Sequence, residues 1–470
     1  VGDEAGTAIT TGDGNVFTGY ASGDALTLGS SNTAVGRDSL GADTLGNNSV
    51  AIGRNSLTNQ NFTTATDVFN TAVGFEAGKE VTTGTSNTLL GARSGDALTT
   101  GSLNVAVGLD ALTTDTAGNR SIAIGLNALQ TQNFSTSTSV YNTAVGYEAG
   151  KAVTTGVNNT LIGGLAGDSL TDADFNVALG SNALIADTLG SRSVAIGYAA
   201  LTSQNFTTAT DSNNVAVGML AGANVTTGTL NTLIGSLAGD ALTVGNSNTA
   251  LGQGALSSDT KGDTSVAIGI LALQDQNFTT STDVYNTAVG AFAGENVTTG
   301  VRNSIIGGLA GDALTVGGNN VTMGYASLSL DTKGSGSVAI GAGALNVQNF
   351  TTATTTHNTA VGLDAGKAVT TGTDNTLIGS LSGDAITDGN TNTAVGSFAL
   401  TTNQRGDRNT AIGHEALKTL NPSGDADTYN TAVGYQSGKA VTTGTVNTLI
   451  GSLSGDALTT GEENTAVGYQ

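Results

Sequence analysis

Residues 142–163 read NTAVGYEAGKAVTTGVNNTLIG, and the stretch contains the rule of the whole chain. A strand-forming triplet, Thr143-Ala144-Val145, ends on Gly146, and 17 residues later Thr160-Leu161-Ile162 ends on Gly163. Followed in both directions, the same glycine stands at 2, 19, 36, 53, 74, 91, 108 and 125, and onward to 468. The interval is 17 residues, except that every fourth is 21. The pattern therefore closes on a 72-residue superperiod in which Gly36, Gly108, Gly180, Gly252, Gly324, Gly396 and Gly468 are equivalent. Spacing this strict marks a solenoid, whose repeats bury their apolar faces only against their neighbours.

Each 17-residue unit holds two short runs of strand formers, such as Thr-Ala-Val and Ala-Val-Thr-Thr, divided by Gly, Asn and Asp, the residues that make turns. No stretch shows a 3.6-residue apolar period, which argues against helices. The expected fold is all-β: a parallel β-roll or β-solenoid of 17-residue coils, 21 residues in every fourth. It should run as one array over residues 1–470, a segment of a longer repeat array. At ~4.8 Å between stacked strands, residues one coil apart lie directly above one another.

Such stacking turns sequence positions into columns. Val35, Ile52, Val73, Leu90, Val107 and Ile124, each just before the glycine, are expected to form an inward aliphatic core column. Asn70, Asn87, Asn104 and Asn142 should form a second column that satisfies turn backbone groups. Side chains alternate along a strand, so the preceding residue should face outward. That position is Ala in most coils but Leu89, Leu161, Leu233, Ile305, Leu377 and Leu449 in the second coil of each superperiod, and only Thr322 among its copies is polar. A strand apolar on both faces is usually covered on both, which predicts contact with another copy of the chain at these residues. A homo-oligomer, with a trimer favoured and end-to-end assembly into a filament open, is expected over a monomeric roll with an exposed Ala-rich face.

Composition agrees with a thin, long interior. The 470 residues include 69 Gly, 1 Pro, no Trp and 4% aromatics, too few large side chains for several thick cores. A net charge of −22 with 15 scattered Lys and Arg excludes general nucleic-acid binding and speaks against anionic membrane surfaces. There is no cysteine, and no apolar run approaches the ~20 residues of a membrane span, so no membrane insertion is expected of this segment. The two histidines, His357 and His414, sit where sister repeats carry other residues, and no nucleophile recurs beside them. The reading is non-enzymatic, without cofactor or catalytic residues.

The stretches NNSVAIGRNSL (residues 47–57) and NTAVGYEAG (residues 142–150) resemble the head repeats of trimeric autotransporter adhesins, the YadA-like head, which also occur in bacteriophage tail-fibre proteins. The resemblance extends over essentially the whole chain. It implies a left-handed parallel β-roll with three chains side by side at a cell or virion surface. The coils here are longer than the family's usual coil, and no stalk, neck or anchor accompanies them.

Three local features invite chemistry. The 21-residue coil carries Asn61, Asn133, Asn205, Asn277 and Asn349 in Asn-Phe-Thr or Asn-Phe-Ser, formal acceptors for glycosylation on a protruding loop; in the sixth copy Asn421-Pro422-Ser423 disqualifies the motif. The same loop admits a structural reading in which Phe62, Phe134, Phe206, Phe278 and Phe350 fold back beside Phe69, Tyr141, Tyr285 and Tyr429. Asp96, Asp168, Asp240, Asp312, Asp384 and Asp456 recur once in four coils. Calcium β-rolls need a ligand in every coil, so turn capping is the better reading and no metal site is expected. Thr82-Thr83, Thr154-Thr155 and Thr226-Thr227 suggest an ice-binding ladder, broken in the third coil by Asp115-Thr116 and Asp259-Thr260. The expectation is an extracellular structural protein that builds a filament or appendage. Its alternative is an adhesin or tail-fibre shaft whose loops bind a receptor or glycan.

Overall fold

The computed structural model describes residues 2–470, which form strands and turns and no helix. The chain divides into two compact units, Val1–Asn231 and Thr232–Gln470, each a parallel β-solenoid. In the first unit, three-residue strands recur from Val16–Thr18 to Val215–Val217; in the second, from Thr232–Ile234 to Thr465–Val467. Successive strands pair in parallel at a register of one coil, with Thr71 opposite Thr88, Ala72 opposite Leu89 and Val73 opposite Leu90. The Thr88 amide donates to Asn104 O at 2.8 Å and the Gly91 amide to Val73 O at 2.9 Å, so each rung bonds to those above and below it.

Tight corners close the coil. Glu76 (φ 57°) and Ser86 (φ 59°) occupy the left-handed region although they carry Cβ atoms, and equivalents recur along the chain. At Gly74 (φ 147°) the reason for glycine is contact as well as angle, because a Cβ would stand 2.3 Å from the carbonyl oxygen of Gly91 in the next rung. The backbones stack too closely there for any side chain.

Burial reverses the two faces assigned from the sequence. Ala34, Ala51, Ala72, Ala106 and Ala123 are fully buried, and so are Leu89, Leu161, Leu233, Ile305 and Leu377, with Leu449 at 1%. These leucines and isoleucines are core residues of their own chain, not contacts with another. The expected core column lies on the outside, where Ile52 is 37% exposed, Leu90 46% and Ile124 36%, and Val35, Val73 and Val107 are half-buried. The side chains alternate as expected, with the opposite phase. The coil is so narrow that most rungs admit only Ala inward, and β-branched residues stand outside, where they pack along the pleat.

The interior is filled by exchange between two positions. Where the strand contributes Leu89, Gly78 and Gly95 lie opposite, and Cβ atoms on them would meet Leu89 Cδ1 at 2.6 Å and Leu89 Cδ2 at 2.8 Å. Where the strand contributes Ala106 or Ala123, the corner supplies a buried leucine instead, Leu112 (φ 55°) or Leu129 (φ 49°). The left-handed conformation costs about 1–2 kcal/mol, and burying a leucine returns about 1.5–3 kcal/mol.

The asparagine column does what its spacing predicts. Asn87 Nδ2 donates to Gly101 O at 2.9 Å, and Asn87 Oδ1 accepts from the Asn104 amide at 3.0 Å. Asn70 and Asn104 repeat both bonds, the latter passing its Oδ1 to the Ser121 amide at 2.9 Å.

Candidate functional site

The 21-residue coil leaves the stack after its buried phenylalanine and returns through a two-residue strand. Thr66–Asp67 pairs in parallel with Gly46–Asn47 of the previous coil, and Thr138–Ser139 with Gly118–Asn119. Between exit and return, Thr63, Thr64 and Ala65 are exposed. The acceptor asparagines Asn61, Asn133, Asn205, Asn277 and Asn349 all lie at the exit and are exposed. The Asn61 side-chain oxygen accepts from Thr44 Oγ1 at 3.2 Å and Asn205 from Thr188 Oγ1 at 3.0 Å, while Nδ2, the atom a glycan would join, bonds to no protein group.

Phe62, Phe134, Phe206, Phe278 and Phe350 are 5–9% exposed and hold the loop to the stack. Their expected aromatic companions do not join them: Phe69, Tyr141, Tyr285 and Tyr429 are 50–58% exposed on left-handed corners.

A buried polar clamp that sequence reasoning missed anchors the first five loops. Fully buried Asp43 accepts through Oδ1 from the amides of Gly46 (3.1 Å) and Phe62 (3.2 Å), and through Oδ2 from Gln60 Nε2 (2.6 Å). Gln60 Nε2 also reaches Ser49 Oγ at 3.0 Å, and Gln60 Oε1 accepts from Asn70 Nδ2 at 2.9 Å. Ser49 interrupts the asparagine column, and Gln60 takes over the bond to the next asparagine. The same set recurs at Asp115 and Gln132, Asp187 and Gln204, Asp259 and Gln276, and Asp331 and Gln348. Burial pushes the Asp115 carboxyl up, against the hydrogen bonds from Gln132, Phe134 and Gly118 that favour its charge.

The sixth copy lacks the clamp and all its partners together. Asn403 replaces Asp, Leu420 replaces Gln, Asn409 replaces Ser and Pro422 replaces Phe. Asn403 satisfies itself on Gly406, accepting from its amide at 2.8 Å and donating to its carbonyl at 2.9 Å. This joint replacement was the signal in the sequence that could have revealed the pairing.

The recurrent GDALT aspartates are half-buried, and burial raises the carboxyl pKa of Asp96, Asp168, Asp240, Asp312 and Asp384. Asp96 accepts from Thr113 Oγ1 of the next coil. Asp168, Asp312 and Asp384 each keep one buried Oδ1 without a hydrogen bond. Among the described residues no three His, Cys, Asp or Glu side chains group as metal ligands.

The first threonine of the pair directs its hydroxyl along the stack to the next coil. Thr82 Oγ1 donates to Thr99 O at 3.1 Å, Thr99 Oγ1 to Thr116 O at 2.9 Å, and Thr154 Oγ1 to Thr171 O at 3.2 Å. The second threonine of a pair differs: Thr155 Oγ1 donates to Asp172 Oδ1 at 2.6 Å.

Two surfaces differ from this background. The outer sheet face carries only Val, Ile, Leu, Met, Thr and Ser from rung to rung, with no charge. The sixth superperiod carries a ring stack, with His414 flat on Tyr435 at 5.6 Å and edge-on to Phe398 at 6.0 Å. Beside it Glu415 bonds Lys418 and Lys439, each at 2.6 Å, and these ammonium groups hold its carboxyl down at about 2. No helix is long and apolar enough to cross a membrane among the described residues. Set against protein-family models, curated proteins and solved structures, the chain matches none.

Proposed function

We propose that the chain is a non-enzymatic structural protein of an extracellular filament or appendage, and that copies associate side by side through the outer sheet face. The observation that carries this reading is the absence of charge on that face in a chain with 52 charged residues, 37 Asp and Glu and 15 Lys and Arg. Each rung adds roughly 30 Å² of flat face, from ~4.8 Å of pitch and ~7 Å between alternate side chains. Ten rungs therefore present about 300 Å² of contiguous uncharged face.

A second copy is the occupant this face fits best. Its ridges repeat at the strand pitch, and another stack of the same pitch meets them in register at every rung. Its neutrality suits a partner that also carries −22, because the repelling charges stay outside the contact. The resemblance to adhesin heads favours three copies. The interface then consists of Ile52, Leu90 and Ile124 and their equivalents, not of the buried Leu89 column.

Sedimentation equilibrium of the full chain tests the proposal. The wild type should sediment as an oligomer, and Ile124→Lys with Ile196→Lys should give a folded monomer. A wild type that stays monomeric at tens of micromolar concentration overturns it.

A second reading, adhesion, draws on the sixth superperiod. Uniform loops suit a scaffold, whereas a binding site should concentrate in one copy, and the sixth copy alone replaces its clamp and carries the Phe398–His414–Tyr435 stack. Glycan-array binding that is lost on deleting residues 421–426 supports this reading, and binding that persists counts against it.

A further inference from the structure

The residue after each strand glycine stands on one edge of the coil. In three successive rungs of the second unit these residues are Tyr325, Ala342 and Leu363. Tyr325 is 64% exposed and Leu363 56%; the small Ala342 lies between them, and Gly308 lies on the other side of Tyr325. Gly343 adds no side chain, and at φ 68° it also lies under Asp364, whose Oδ1 would be 2.2 Å from a Cβ there. The other copies of this coil fill the same two positions with Arg54-Asn55, Leu126-Asn127, Tyr198-Ala199, Ile270-Leu271 and His414-Glu415. At Ala342-Gly343 the edge opens into a cavity of about 240 Å³.

The walls decide what can enter. Two rungs separate Tyr325 from Leu363, on the order of 9–10 Å. With ~3.5–4 Å of carbon contact on each side, the gap admits a single ring and nothing thicker. The rim decides the ring's chemistry. Asp364 and Lys367 lie at its edge with Oδ2 and Nζ 3.4 Å apart. Asn346 is held there by bonds from Nδ2 to Ala326 O (2.9 Å) and Ser329 Oγ (2.8 Å), which leave its Oδ1 to accept. A purely apolar ring would desolvate these groups without replacing their water. A pyranose presents C–H faces to the walls and hydroxyls, both donors and acceptors, at its edge.

We infer that the slot binds one pyranose unit of a glycan, its ring against Tyr325 and its hydroxyls on Asp364, Lys367 and Asn346. The slot is a separate glycan site, distinct from the sixth-superperiod surface on which the adhesion reading draws, and is independent of side-by-side assembly.

Saturation-transfer NMR on the full chain, with the methyl pyranosides of glucose, galactose, mannose and N-acetylglucosamine as probes, tests it. At least one should receive saturation on its ring protons, with an affinity on the order of millimolar. Ala342→Tyr, which places at 342 the residue that Tyr198 supplies in a sister coil, should abolish the transfer while melting temperature and oligomeric state stay unchanged. Asp364→Asn should weaken binding about fivefold, the loss expected for one hydrogen bond. No transfer to any of these sugars, or transfer undiminished in Ala342→Tyr, overturns the assignment. Because assembly is read in the same samples, its failure is told apart from failure of the slot.

Discussion

Leu89 occupies the space that a side chain on Gly78 would need: a Cβ on Gly78 would stand 2.6 Å from Leu89 Cδ1 and 3.0 Å from Leu57 Cδ2. The relation recurs at Gly150 with Leu161, Gly366 with Leu377 and Gly438 with Leu449. Size is traded between strand and corner, so the narrow interior stays full in every coil.

This trade predicts coupling. Leu89→Ala should cost about 2–5 kcal/mol by leaving a cavity. Gly78→Ala should cost about 1–3 kcal/mol by overfilling the site at φ 58°. The double variant should lose less than the sum of the two, because each change relieves the other. Urea denaturation of the four proteins measures the coupling, and strict additivity would refute direct competition for space.

The clamp makes a second prediction. Gln132→Leu should destabilise by roughly 3 kcal/mol, since it removes a charge-assisted bond and leaves Asp115 buried with less compensation. Adding Asp115→Asn should recover a large part of the loss, because Asn403 and Leu420 already coexist in the sixth copy. Thermal melting decides this, and a double variant worse than Gln132→Leu would show that the pair does not act as a unit.

The glycine column is the least forgiving position. In Gly74→Ala the new methyl would meet a backbone carbonyl, Gly91 O at 2.3 Å, which no side-chain rotation can relieve. The expected loss exceeds that of Gly78→Ala, whose methyl meets side chains. Comparing the two in one denaturation series tests whether backbone stacking or φ alone demands glycine; equal losses would favour φ alone.

Buried carboxyls should contribute more stability as pH is lowered toward 3.8. Folding raises the carboxyl pKa of Asp96, Asp115, Asp168, Asp312 and Asp384 by burial, so their protonated forms favour the folded state. That contribution is complete below their unfolded value of 3.8 and is lost as pH rises through the raised values. Relief of the −22 charge acts in the same direction. Glu415 works oppositely: its lowered pKa gives stability above 4.5 that disappears as pH falls through about 2. These carboxyls should therefore add more to the melting temperature near about pH 4 than at neutral pH, and Asp168→Asn with Asp312→Asn and Asp384→Asn should flatten the slope. An unchanged slope in that triple variant would remove these carboxyls as its source.

The 17-residue period, the parallel stacking and the asparagine column were all legible in the residues. They follow from local facts: glycine where backbones touch, β-branched residues in strands, and an amide that reaches a turn carbonyl. The direction of Val73 and Ala72 was not legible. Alternation says only that the two differ, and both are apolar; the width of the closed coil decides that Ala72 fits inside. Asp43 and Gln60 are 17 residues apart, and it is the stacking of coils that brings them to 2.6 Å in a fully buried position. The slot beside Tyr325 likewise exists only once three rungs are laid together. Period is a property of order along the chain, whereas inside and outside are properties of the volume that the folded chain encloses.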